Sequence, residues 1–404
     1  MKRAVIVGAG NIGRGFIGQL FSEAGWEVVY LDVSAPVVDA LNGAGEYPLE
    51  IVSNRGSVRR IIAPVRAVNG NDHEAAARIT ADADVCVTCV GAKAIKYIIP
   101  NFAAGVRLRH AEGGGPLNLL ICENLMDADR YIDGLLADVL TSEERADVGL
   151  VETSVGRMVP LPDKALLEKE PLLVRAERYG VLPFDADAWK GPLPDVPGLI
   201  PHAPFRFIVE RKLYVHNMGH AVCAYLGTLA GYERIADAIA DPTIRLAVRE
   251  AMTASARALS KRYGEDLDAL LAHTEDLIRR FGNWALGDTC ARVGADIPRK
   301  LAKSDRLSGA ACSAEEAGIR PVWFSLGAAA ALAVRSMNGM SDDGYPTDPG
   351  EAFDALTGGI GGPYRDDALG FYNILANEKP FADRMRACIA RADEILADAC
   401  GEIM

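Results

Sequence analysis

At 404 residues, half of them hydrophobic and about a quarter charged, the chain is long enough for two domains with separate cores. A formal net charge of -12 argues against a nucleic-acid partner, whose phosphates need a basic footprint, and leaves any anionic small substrate dependent on a local basic cluster. Eight cysteines spread over this length form no disulfide scaffold. No apolar run reaches the roughly 18 residues of a membrane span, and no signal peptide precedes the first strand. A cytoplasmic protein with reduced thiols is expected.

Ala4-Val5-Ile6-Val7 is a short, β-branched apolar run that predicts a buried strand. Gly8-Ala9-Gly10-Asn11-Ile12-Gly13 follows at once, and residues 16–24 then show helical periodicity. Strand, tight turn and helix are the context in which G-x-G-x-x-G binds a dinucleotide. Gly8 permits the turn, Gly10 lets a pyrophosphate approach the backbone, and Gly13 lets helix and strand pack closely. The helix start, through Ala9, Asn11 and Ile12, offers free N–H groups to the phosphates. A second strand is predicted over 26–31, with Asp32 at its end, about 20 residues after the glycines. A carboxylate there accepts from the adenosine ribose hydroxyls and repels a 2′-phosphate, which selects NAD over NADP. The bland alternative, a tight turn followed by a solvated strand end, leaves the order of all five features to chance.

Further strands over 84–90, 117–122 and 148–151 fit a doubly wound, mostly parallel sheet. Cys86-Val-Thr-Cys89 is formally C-x-x-C, but within a strand it reads as two core cysteines. Gly91-Ala92-Lys93 follows that strand and is placed to face a cofactor. Asn124 ends the next strand, where open α/β sheets line their ligand crevice. It is either a donor to a substrate oxygen or an Asx turn.

Six prolines between Pro183 and Pro204 resist helix and strand interiors. The boundary is therefore placed near residue 200: an NAD-binding α/β domain over 1–200 and a mainly helical substrate domain over 201–404. Helices are expected over 221–229, 243–263, 266–281, 298–307, 322–337, 350–356 and 380–400, and a polar loop over 338–349.

Lys212, Asn217 and His220 fall within nine residues of one another. Hydride loss from a secondary alcohol needs a base for the hydroxyl proton and donors to the oxygen. Lys212, among Ile208, Val209, Leu213 and Val215, suits the base. Asn217 and His220, three apart, share a helix face, where Asn217 donates to the oxygen and His220 orients the substrate. Taken singly, each is equally a satisfied surface polar residue. His216 and His220 are four apart, a zinc-like spacing, but no supporting ligand cluster accompanies them and no metal is expected. Arg299, Lys300, Lys303 and Arg306 form a basic group; on a helix, Arg299, Lys303 and Arg306 would share a face suited to a phosphate, or would simply be solvated.

The runs Gly8-Ala-Gly10-Asn-Ile-Gly13-Arg-Gly15-Phe-Ile-Gly18, Cys122-Glu-Asn124, Glu210-Arg-Lys212-Leu, His216-Asn217-Met-Gly-His220, Phe281-Gly-Asn283, Asp296-Ile-Pro-Arg299-Lys300-Leu and Asp305-Arg306-Leu307 together resemble the long-chain polyol dehydrogenases, in particular those acting on mannitol 1-phosphate. The likeness covers about residues 1–310. It implies a Rossmann domain followed by a helical domain, NAD as cofactor and no metal. It implies Lys212 as general acid/base, Asn217 and Asn124 holding the reacting oxygen, and His220 binding substrate. Arg299, Lys300 and Arg306 would take the phosphate of a sugar-phosphate substrate, in a monomer or small homo-oligomer. An unphosphorylated polyol or hexuronate is the alternative substrate, and a catalytically silent NAD-binding regulator is the alternative of another class.

Overall fold

The structure, a computed structural model, describes residues 1–160, 162, 164–337 and 343–401. The described residues divide into two compact units, Met1–Ile208 and Val209–Met404. The strands are β1 (Arg3–Val7), β2 (Glu27–Asp32), β3 (Tyr47–Ser53), β4 (Gly56–Ile62), β5 (Val65–Asn69), β6 (Val85–Thr88), β7 (Leu117–Ile121), β8 (Val148–Glu152), β9 (Val174–Ala176), β10 (Leu182–Asp185) and β11 (Leu199–His202).

Six of them make a parallel sheet in the order β5-β2-β1-β6-β7-β8. The order reverses between β1 and β6, which is where such sheets open their ligand crevice. Side-chain alternation divides the core. Ala4, Ile6, Val28 and Tyr30 face one buried cluster, and Val5, Val7, Val29 and Leu31 face another. A sheet buried on both faces explains why these strands read as continuous apolar runs. Cys86 belongs to the second cluster and Cys89 packs against the first, so the two thiols point to opposite faces.

Two smaller sheets were not expected. β4-β3-β9 forms one, in which β3 and β4 are an antiparallel hairpin. β10 and β11 form the other, and Pro183 and Pro201 lie inside them. The proline argument excluded strands here and is corrected. A two-stranded ladder leaves half of each strand's N–H groups without a sheet partner, so proline at such a position removes nothing. β11 also extends past residue 200, and the division comes at Ile208/Val209.

The second unit is helical. Helices Met218–Ala230 and Val322–Met337 run through its centre; the latter is buried from Val322 to Arg335. Helices Pro242–Tyr263, Leu267–Phe281, Pro349–Thr357 and Phe381–Gly401 lie close to expectation. The helix expected over 298–307 is cut short. It spans only Ile297–Leu301, because Asp296 enters it at φ 60° and Ala302 leaves it extended at ψ 146°. Of the expected loop 338–349, residues 338–342 lie outside the described residues. Asp343 makes a two-pronged contact with Arg335 at 2.6 and 2.7 Å, and Asp348 caps the next helix. No helix among the described residues is long and apolar enough to cross a membrane.

Glu152, at the end of β8, is half-buried near Asp129 and accepts an N–H from Ala128 at 3.1 Å. Burial, reinforced by Asp129, pushes its pKa up to about 7. The folded state therefore binds a proton more tightly than the unfolded chain, and stability falls as pH rises from about 4.5 through 7. Glu152→Gln should leave the melting temperature unchanged near pH 4.5. At pH 8 it should stabilise by about 1–2 kcal/mol, after allowance for solvent screening. Thermal melts of both proteins at the two pH values check this, and equal melting temperatures at pH 8 would refute it.

Candidate active site

The cofactor loop is built as its glycines require. Gly8 sits at φ +102°, a conformation open to glycine, and a Cβ there would lie 2.6 Å from the Cys89 carbonyl oxygen. A Cβ on Gly13 would lie 2.1 Å from the Gly8 carbonyl oxygen, so helix and strand touch backbone to backbone. Gly10, in contrast, is exposed and faces open space, which leaves room for a pyrophosphate over the helix start. Ala9 is buried, and Asn11 and Ile12 are half-buried in the first turn. Asp32 has a second task. Its Oδ2 accepts the Ala9 N–H at 2.7 Å and its Oδ1 the Ser34 N–H at 2.9 Å. The acid thus ties the loop to β2 while each oxygen keeps a lone pair for a ribose hydroxyl. Asp32→Ala should weaken NADH binding about 10- to 100-fold, the scale of a lost charge-assisted hydrogen bond, and narrow the preference over NADPH. Fluorescence titration with both cofactors measures this; unchanged discrimination would remove Asp32 from the site.

The helix after the loop does not start as a regular α-helix. Gly13–Ile17 is a π turn, in which the Gly18 N–H reaches back to the Gly13 carbonyl. Such a turn loosens its own carbonyls. Two buried tyrosines take them: Tyr47 donates to the Arg14 carbonyl at 2.6 Å, Tyr30 to that of Gly13 at 3.4 Å, and the two hydroxyls meet at 2.9 Å. A Cβ on Gly18 would lie 2.0 Å from the Tyr30 hydroxyl. Arg14 is buried and donates to the carbonyls of Ala9 at 2.6 Å and Leu172 at 2.7 Å. Burial lowers its pKa from the usual arginine value. None of these locking contacts was expected from sequence. Arg14, Gly15 and Gly18 stand in the quoted run, but partners such as Tyr30, Tyr47 and Leu172 are remote in sequence.

Asn124 lies just beyond β7 in the first unit, beside Glu123. The Glu123 carboxylate accepts the N–H groups of Val90 at 2.9 Å and Gly91 at 2.8 Å, so it pins the start of the loop that leads to Lys93. Burial raises its pKa against those bonds. Glu123 was not singled out, although it adjoins a residue that was.

In the second unit Lys212–Asn217 is another π turn, continuous with the helix Met218–Ala230. Its closing bond runs from the Met218 N–H to the Leu213 carbonyl, and its Tyr214 carbonyl accepts from Ser255 Oγ at 2.8 Å. In a regular α-helix, five residues at 100° each would leave Lys212 and Asn217 about 140° apart. A turn closed over five residues would bring them towards one side, with His220 three residues further on. Lys212, Asn217 and His220 are all half-buried.

The surroundings are electropositive. His216 is buried, and burial, reinforced by Arg280, His220, Lys212 and His273, pushes its pKa well down. Burial with Arg211 and Arg280 brings His273 down to about 4. Both rings are therefore neutral near pH 7. The His216 and His220 rings are 6.1 Å apart, and His220 Nε2 stands 3.3 Å from Asp288 Oδ2. No group of three or more His, Cys, Asp or Glu side chains among the described residues is arranged to hold a metal ion.

The basic group is not one helix face, since Lys303 and Arg306 lie beyond the short helix. Arg299 contacts Asp296 at 2.5 Å and Asp305 at 3.1 Å, and Arg306 contacts Asp305 at 2.8 Å. Lys300 differs. It is 4% exposed, and its ammonium has no ion-pair partner among the described residues. Burial, with Arg306 and Arg299 nearby, lowers its pKa to about 8.

A parallel sheet with a glycine loop closed by the acid of β2 is the arrangement of an NAD-binding Rossmann domain, here joined in sequence to a helical unit. The chain belongs to the mannitol dehydrogenase family. Residues 2–196 match its Rossmann domain and residues 205–351 its C-terminal domain. Two solved structures share the fold throughout. A D-sorbitol dehydrogenase in substrate-free form is 16% identical, with TM-score 0.76 over 95% of this chain and 94% of the other. The Pseudomonas fluorescens mannitol 2-dehydrogenase, in ternary complex with NAD and D-mannitol, is 16% identical, with TM-score 0.72 over 96% and 94%.

Proposed function

We propose that this chain is an NAD-dependent polyol dehydrogenase that interconverts D-mannitol 1-phosphate and D-fructose 6-phosphate. The π turn over Lys212–Asn217, which by helix geometry would bring Lys212 and Asn217 towards one side of the helix that carries His220, supports the reaction class. In this reading neutral Lys212 takes the hydroxyl proton, Asn217 donates to the oxygen as it becomes a carbonyl, and His220 holds a neighbouring substrate hydroxyl. NAD, when bound, supplies the hydride acceptor. No metal is assigned a part. Asn124 is a further donor to the oxygen on the strength of the resemblance alone.

The phosphate reading rests on Lys300, a buried cation that makes no salt bridge among the described residues, flanked by Arg299 and Arg306, with Asp296 and Asp305 only partly offsetting their charge. An unphosphorylated polyol or hexuronate is the second reading. It is favoured by Asp296 and Asp305, which already occupy Arg299 and Arg306. NADH oxidation measured with fructose 6-phosphate, fructose and fructuronate separates the two. The phosphate reading expects fructose 6-phosphate to have much the largest kcat/KM. It also expects Arg299→Gln to raise KM for fructose 6-phosphate about 10- to 100-fold while leaving fructose unchanged. A wild-type preference for fructose or fructuronate would give the substrate to the second reading.

A further inference from the structure

His220 is held on two sides. Its ring lies flat on Phe281, with centroids 4.6 Å and planes 8° apart. Its Nε2 is sealed from solvent and has no aligned hydrogen bond, and Oδ2 of Asp288 stands within reach of it at 3.3 Å. Asp288 is itself fixed. Its Oδ1 accepts from Arg292 Nε at 2.8 Å, and its backbone carbonyl accepts the Ile235 N–H at 3.0 Å. Burial pushes the Asp288 carboxyl up, but His220 and Arg292 more than offset this and keep it ionised.

An ionised carboxylate only accepts hydrogen bonds. The proton of a neutral His220 ring therefore belongs on Nε2, towards Asp288, and Nδ1 keeps its lone pair. We propose that Asp288 is a positioning residue: it fixes His220 in the Nε2–H tautomer, so that His220 accepts a hydrogen bond from a substrate hydroxyl through Nδ1. This rests on the reading of His220 as a substrate-binding residue. The group recognised is then a neutral hydroxyl, which can donate, and not a phosphate or carboxylate oxygen, which cannot. The anionic end of any substrate must be bound by other side chains.

The test combines a spectrum with kinetics. In protein labelled with 15N-histidine, the six histidines are few enough for the His220 signals to be identified by their loss in His220→Ala. Near pH 7 the wild-type ring should show a protonated Nε2 and an unprotonated Nδ1, and Asp288→Asn should abolish that preference. Asp288→Asn should also raise the polyol KM about tenfold, with a smaller change in kcat. In a His220→Ala background the same substitution should add little. A wild-type ring protonated on Nδ1, a tautomer indifferent to Asp288→Asn, or an undiminished Asp288→Asn effect without His220 would each overturn the proposal. The wild-type spectrum decides even where Asp288→Asn fails to fold. If His220→Ala leaves KM unchanged while the tautomer depends on Asp288, tautomer control stands, and the substrate role given to His220 fails.

Discussion

Lys212→Ala should lower kcat by about 10²–10⁴, the usual contribution of a positioned acid/base, while NADH still binds with wild-type affinity. The direction of the pH dependence follows from the chemistry. Alcohol oxidation needs the neutral amine, so its rate should rise with pH through the Lys212 ionisation. Carbonyl reduction needs the ammonium and should fall over the same range. His216 and His273, both neutral near pH 7, should not add a second limb there. Stopped-flow single turnovers in both directions separate the chemical step from product release. A Lys212→Ala enzyme within a fewfold of wild type, or parallel pH profiles in the two directions, would end the acid/base assignment.

Gly13→Ala should damage the other half of the reaction. The added Cβ would stand 2.1 Å from the Gly8 carbonyl oxygen, and because that atom is backbone, no rotamer relieves the clash. The helix must move off β1, carrying with it the N–H groups that face the pyrophosphate. Overpacking of this kind costs about 1–3 kcal/mol. If it falls wholly on the bound geometry, NADH affinity drops by up to about 10². Gly10→Ala is the control for stability, since its Cβ meets nothing within 4 Å. It should leave the melting temperature unchanged and act only on cofactor binding. A Gly13→Ala protein with wild-type affinity and melting temperature would show that the loop tolerates the shift.

Where the sequence could be read, the determinants were local. The glycine loop, β1, β2 and Asp32 lie within 32 residues, and each carries its own signal: a β-branched run, glycines at fixed offsets, an acid at a strand end. The long helices were visible from their helical spacing, and Pro242–Tyr263 and Leu267–Phe281 lie close to the expected 243–263 and 266–281. Both π turns were hidden, because apolar spacing is read against a period of 3.6 and their closing partners, Tyr30, Tyr47 and Ser255, are remote. The basic group misled for the same reason. The spacing of Arg299, Lys303 and Arg306 suits a helix, but Asp296 and Ala302 set backbone angles that end one. The pairing of His220 with Asp288, 68 residues apart, left no trace in spacing.

The π turn at Lys212–Asn217 also makes chain length a carrier of chemical information. Removing one residue between Lys212 and Asn217 would let the segment relax to a regular α-helix with the two side chains four apart, about 40° around the axis, so they would still share a side. Straightening the turn at constant length would instead leave them about 140° apart, with the amine turned away from the oxygen proposed for it. The extra residue and the π turn therefore cancel, and neither can be changed alone. The apolar face of Met218–Ala230 is untouched in either case, so the fold would not reveal which had happened. A relative with one residue fewer and a regular helix here would carry the same proposed set of side chains on a shorter chain.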